Sequence, residues 1–221
     1  MKRIYHGSNK YIEKPLYDFI HVGATDYGER GFYCTQDKEA AKEWACKNAD
    51  NSDGFLLEYD IDERGLKILD LTDKTRFSVL NWFALLLKHR TYSREFYSLY
   101  ERRINFIIER YLNIDLDEYD VVIGYRADDA YFAFPLSFIR GELLLESLEE
   151  VFNLGELGTQ YVLVSQKAFN RIKFVKGEVV NHEYYSFYQS RISSANSKYH
   201  QILKHDINSI GTRITDLMKD D

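Results

Sequence analysis

Hydrophobic and polar positions along the chain follow two periods. Short apolar runs, rich in β-branched and aromatic residues and bounded by turn formers, read as strands: "KRIYHG" at the start, "GFYCT" (31–35), "GFLLEYDID" (54–62), "LKILDL" (66–71), "DVVIG" (120–124), "QYVLVS" (160–165) and "IKFVKGEVV" (172–180). Between them the spacing becomes helical. In "QDKEAAKEWACKNAD" (36–50), Ala40, Ala41, Trp44 and Ala45 form one apolar face, and Asp37 stands where a cap belongs. Residues 74–112 predict two long helices, and 127–153 are helical with breaks near Pro135 and Gly141. "QKAFNR" reads as a turn, and the tail from 183 to about 219 as a polar helix. Residues 8–30 are irregular, with Pro15, Gly23 and Gly28 marking loops. Strands at both ends with helices between them predict an α+β fold, in one domain over 1–221.

Composition narrows the classes. Hydrophobic residues make up 45% and charged residues 29%, the balance of a soluble chain with a real core. A net charge of −6 argues against coating nucleic acid by charge alone. Residues 74–112 run the other way, with eight basic residues against three acidic ones, interleaved with Trp82, Phe83, Tyr92, Phe96, Tyr97, Tyr100 and Tyr111. That segment reads as an acceptor platform or as an ordinary hairpin with its aromatics inward, and the hairpin is the simpler reading. Cys34 and Cys46 belong to no CxxC or Cys/His group, so no metal site is expected. "MKRIYHG" lacks an apolar signal core, and no apolar run is long enough to span a bilayer. A cytoplasmic protein, or one delivered into a target cell's cytoplasm, is expected, with no membrane partner.

Four segments stand in a particular order: "YHGS" (5–8), "GERGFYCT" (28–35), Trp44 on the following helix, and "GTQYVLVS" (158–165). In order and spacing they resemble the ADP-ribosyltransferase superfamily, in the branch of diphtheria toxin and the poly(ADP-ribose) polymerases. "GFYCTQDKEAAKEWA", "YDVVIGYRADDAYF" and "TQYVLVSQKAF" are similar to an uncharacterised bacterial group within it, over roughly residues 1–180. The resemblance implies a split antiparallel β-core around an NAD cleft, with a helical insertion at about 74–112 and a C-terminal helical extension at about 183–221.

It also implies roles. His6 would hydrogen-bond the adenine-side ribose of NAD, the Gly7 backbone would pair with the nicotinamide amide, and Ser8 would add a hydroxyl. Tyr33 and Trp44 would enclose the nicotinamide ring, where each stacked pair contributes about 1 kcal/mol. Helix packing is the rival reading of Trp44, because it lies on the apolar face of its helix. Ala41 stands where the family often has a small hydroxyl residue. Gln160 replaces a glutamate whose carboxylate faces the cationic ribose, and losing such a partner commonly costs about a hundredfold to a thousandfold in rate. In "RADD" (126–129), Arg126 would clamp the pyrophosphate, and Asp128 or Asp129 would supply the missing acid, unless these acids only favour a helix N-terminus. The implied activity is mono-ADP-ribosyl transfer from NAD, as substrate, to a protein or nucleic acid. The expected setting is a bacterial toxin or toxin–antitoxin pair with an antitoxin partner. The rival readings are a non-catalytic module that binds NAD or ADP-ribose, and an interaction protein that keeps only the fold.

Overall fold

A computed structural model describes residues 1–17, 26–27, 31–47, 52–126, 129–156 and 158–219, the side chains of residues 129 and 130 excepted. Seven strands form one sheet: β1 (Lys2–Ser8), β2 (Phe32–Thr35), β3 (Gly54–Ile61), β4 (Ile68–Asp70), β5 (Val121–Tyr125), β6 (Thr159–Leu163) and β7 (Ile172–Val180). Their order is β4-β5-β6-β2-β1-β3-β7, antiparallel throughout except for the β4–β5 pair. The fold is mixed α+β. The narrowest join of the sheet is the β1–β2 ladder, which has a single registered pair, Tyr5 with Thr35.

Residues opposite one another in a ladder share a face, and faces alternate along each strand. The registers therefore set out a row, Glu58–Tyr5–Thr35–Gln160–Gly124, across five strands on one face. Beside it on the same face runs Tyr33–Val162–Val122–Leu69. The opposite face carries Ile4, Phe32, Cys34, Leu57, Tyr59, Val121 and Tyr161, packed into a second core with Ala168 and Phe169.

Helices cover the first face. α1 (Lys38–Ala45) is capped by Asp37, whose side chain accepts from the amides of Glu39 and Ala40. It lies so close to β1 that a Cβ on Gly7 would sit 1.9 Å from the Ala41 carbonyl oxygen. α2 (Val79–His89) and α3 (Arg94–Tyr111) are the two helices expected in 74–112, and α2 is core: Leu80 and Trp82 through Leu87 are buried. The Trp82 ring meets Phe152 edge-on at 4.2 Å. Along α3 the rings of Phe96 and Tyr100 pair at 4.9 Å, while Tyr97 and Leu99 are exposed. The aromatics thus divide between the interior and one rim.

α4 (Asp129–Phe132), α5 (Leu136–Arg140) and α6 (Leu145–Phe152) follow, broken at Pro135 and at Gly141 with φ +84°. "QKAFNR" departs from the expected turn: Gln166–Phe169 is a short helix, α7, capped by the Ser165 side chain on the Ala168 amide. The tail forms α8 (Tyr184–Ile207) and α9 (Ile214–Leu217). Arg191 on α8 binds Glu43 on α1 through Nε and Nη2, at 2.9 and 2.6 Å, and the Gly155 carbonyl through Nη1 at 2.7 Å. Buried Asp206 accepts from the Leu144 amide and the Ser147 hydroxyl at the start of α6. Among the described residues no helix is long and apolar enough to cross a membrane.

Candidate functional site

The β1–β2 join is where the His6 ring enters. His6 sits on the face opposite Tyr5, with its ring 4.5 Å from Phe32, and its Nδ1 lies 2.7 Å from the Tyr33 carbonyl oxygen. A carbonyl only accepts, so this bond places a proton on Nδ1. His6 is half-buried and ties two strands together, which is more than a strand-end residue beside a cleft does. Gly7 has a different reason for being glycine than the approach of a ligand: α1 leaves no room for a Cβ. The Ser8 hydroxyl accepts from the Lys10 amide at 3.0 Å and turns the chain after β1.

Tyr33 and Gln160 share a face on adjacent strands, two positions apart in register, a diagonal spacing of about 7–8 Å. The Tyr33 ring stacks on Tyr27 at 6.4 Å, and its hydroxyl oxygen accepts from the Tyr27 amide at 3.3 Å. The Tyr27 hydroxyl donates to the Tyr125 carbonyl at 3.2 Å and accepts from Trp82 Nε1 at 3.1 Å. It lies directly over Gly124, where a Cβ would stand 2.1 Å away. Burial first, and the Asp26 charge second, push the Tyr27 phenol well above its ordinary value, so it is a neutral hydrogen-bonding group.

Trp44 and Arg126, 82 positions apart in the chain, meet here. The Arg126 guanidinium carbon lies 3.8 Å from the centre of the Trp44 ring, and Lys47 Nζ is at the same distance. Arg126 is buried, and its amide bonds the Gly158 carbonyl beside the start of β6. Trp44 is therefore a cation platform as it stands. Asp128 lies outside the described residues, as do Gly28 and Gly23; the Asp129 backbone begins α4, and its side chain also lies outside them.

Two residues at the site have no motif to announce them. Asp26 is 3% exposed and Arg90 6%. Arg90 Nε donates to Asp26 Oδ1 at 2.7 Å and Nη2 donates to the same oxygen, while Gln160 Nε2 donates to Oδ2 at 2.5 Å. Gln160 is itself 6% exposed. Arg90 comes from the segment 74–112, just beyond α2, and its guanidinium lies 4.7 Å from the Phe132 ring. Among the described residues no cluster of His, Cys, Asp and Glu has the makings of a metal site. Burial pushes the Cys34 thiol well above its usual value, which makes it an inert core residue. A groove of about 770 Å³ runs past residues 13–17, Phe169 and Phe174, and none of His6, Tyr33, Trp44, Arg126 and Gln160 lines it.

Residues 2–174 match the model of the family described as "Protein of unknown function (DUF3990)", and the chain belongs to that family. The match runs from β1 into β7 and takes in the whole site, from His6 to Gln160. No curated protein and no solved structure gives a significant match.

Proposed function

We propose that the protein cleaves NAD and transfers ADP-ribose, one unit at a time, to a macromolecular acceptor. The observation that carries this reading is convergence. Tyr33, Trp44, Arg126 and Gln160 come from four separate segments: Tyr33 and Gln160 share one face of the sheet, Arg126 follows β5 beside the start of β6 and meets Trp44, and His6 bonds the Tyr33 backbone. An NAD-cleaving site needs a cation for pyrophosphate, aromatic surface for nicotinamide and polar groups for the ribose. In the reaction the bond between ribose C1′ and nicotinamide breaks, and its electron pair leaves with neutral nicotinamide. Positive charge develops on the ribose ring, an acceptor nucleophile bonds to C1′, and the acceptor's proton passes to solvent. The Arg126–Trp44 contact supports a route for ligand entry: a pyrophosphate that draws the guanidinium away uncovers the indole face.

The test is release of nicotinamide from NAD, followed by mass spectrometry of cell extract incubated with labelled NAD, with protein and nucleic-acid fractions kept apart. NAD should also change tryptophan emission through half-buried Trp44, so Trp44→Phe should lose most of the signal. If Trp82→Phe removes it instead, the nicotinamide is not at Trp44. Binding without turnover favours the second reading, an NAD-binding module, for which the neutral Gln160 is the specific observation.

A further inference from the structure

Gln160 stands where the chemistry just described calls for negative charge, and the side chain that meets its amide is a carboxylate. We propose that Asp26 supplies the carboxylate of this site and that Gln160 is its positioning residue. The proposal deepens the NAD-cleaving reading and rests on it.

The first support is the contact: Gln160 Nε2 donates to Asp26 Oδ2, and Arg90 holds Oδ1 from the other side. The acid is therefore held at both oxygens. The second is placement. The next residue, Tyr27, is fastened to the sheet by its amide on Tyr33, its ring against Tyr33, and its hydroxyl over Gly124. This ties Asp26 to the two rows that carry Gln160 and Tyr33. The third concerns what position 160 tolerates. Only a donor fits against Oδ2, and an ionised glutamate donates nothing. It would set two carboxylates face to face beside Arg90, and one of them would have to take up a proton. With Asp26 in place, glutamine is the residue that the site requires. A buried ion pair stabilises a fold poorly compared with apolar packing, so a need for the charge itself accounts better for keeping it. As the C1′–nicotinamide bond breaks, the carboxylate faces the ribose cation electrostatically and forms no bond to it.

The experiment exchanges the two groups. Asp26→Asn should lower nicotinamide release by about a hundredfold or more, and Gln160→Glu should lower both release and the thermal midpoint. The double variant Asp26→Asn/Gln160→Glu restores one amide donor and one carboxylate, with net charge −1 beside Arg90. It should regain the wild-type midpoint and come within about tenfold of wild-type release, more than the singles combined independently would allow. Full release by Asp26→Asn overturns the proposal. So does a double variant that melts below both singles, or one that folds as wild type and stays inactive. A wild type that neither binds nor cleaves NAD overturns the functional reading instead. The pairing then stands or falls on the thermal arm alone, where the exchange must restore what Gln160→Glu takes away.

Discussion

Glu58 and Asp26 are both buried acids over the same face of the sheet, and they are neutralised in opposite ways. Glu58 points its carboxylate at three long cations, Arg3 at 2.7 Å, Lys38 at 3.1 Å and Lys176 at 3.5 Å, all with ends reaching water. Asp26 meets a cation as buried as itself, and an amide. A shared, solvated shell can lose a member and rearrange. An enclosed pair cannot, because water does not reach in to replace the missing partner. The first arrangement suits a clamp between β1, β3, β7 and α1. The second suits a charge that must stay at one point.

The largest test of that contrast is removal of a cation from each shell. Arg90→Met should cost about 3–5 kcal/mol, because it strands a buried charge, whereas Lys176→Met should cost less than about 1 kcal/mol. Urea unfolding measures both, and equal losses would erase the distinction. A smaller effect comes from pH. Burial opposes ionisation of Glu58, but the hydrogen bond and charge of Lys38, the charge of Lys176 and the Arg3 hydrogen bond outweigh it and hold the carboxyl below its usual range. A carboxyl depressed by folding adds stability above its unfolded value, about 4.3, and that stability is lost as pH falls through the folded value. Glu58→Gln should therefore flatten the acid limb of the stability curve. A curve parallel to that of wild type would mean that the shell does not stabilise the ionised form. Salt should act least. Raising NaCl to about 1 M shortens the screening length to about 3 Å, which should weaken the Glu58 shell by a few tenths of a kcal/mol and leave the Asp26 pair unmoved. Comparing the salt dependence of Lys176→Met and Arg90→Met reads this directly.

The two acids also differ in how visible they are in the sequence. Glu58 lies in a strand that its own alternation announces, opposite a basic residue on the neighbouring strand. Asp26 lies in an irregular stretch, and its partners stand 64 and 134 residues away. No local pattern records a hydrogen bond of that separation, so the sequence directs the search for an acid to "RADD", beside a motif. Gly7 shows a related limit. Its glycine is legible, but its reason is not, because the atom that forbids a side chain belongs to α1. His6 is legible as a polar residue on an apolar strand, while its bond to the Tyr33 backbone depends on how β1 and β2 pair.

Hydrophobic period, capping residues and turn formers act over a few residues, so the chain by itself determined its strands, most of its helices and the Asp37 cap. For 74–112 the sequence leaves two readings open, an acceptor platform and a hairpin with its aromatics inward, and the packing that buries Leu80 and Trp82 through Leu87 favours the second for α2. Which strands adjoin, and therefore which side chains share a row, was decided by tertiary structure. That choice is made by burying whole faces at once. The same packing that put α2 against the sheet brought Arg90 to Asp26, and strand register brought Gln160 to meet it. A buried carboxylate holds its charge only where such partners already stand, so the site's acid became identifiable only once the fold had assembled them.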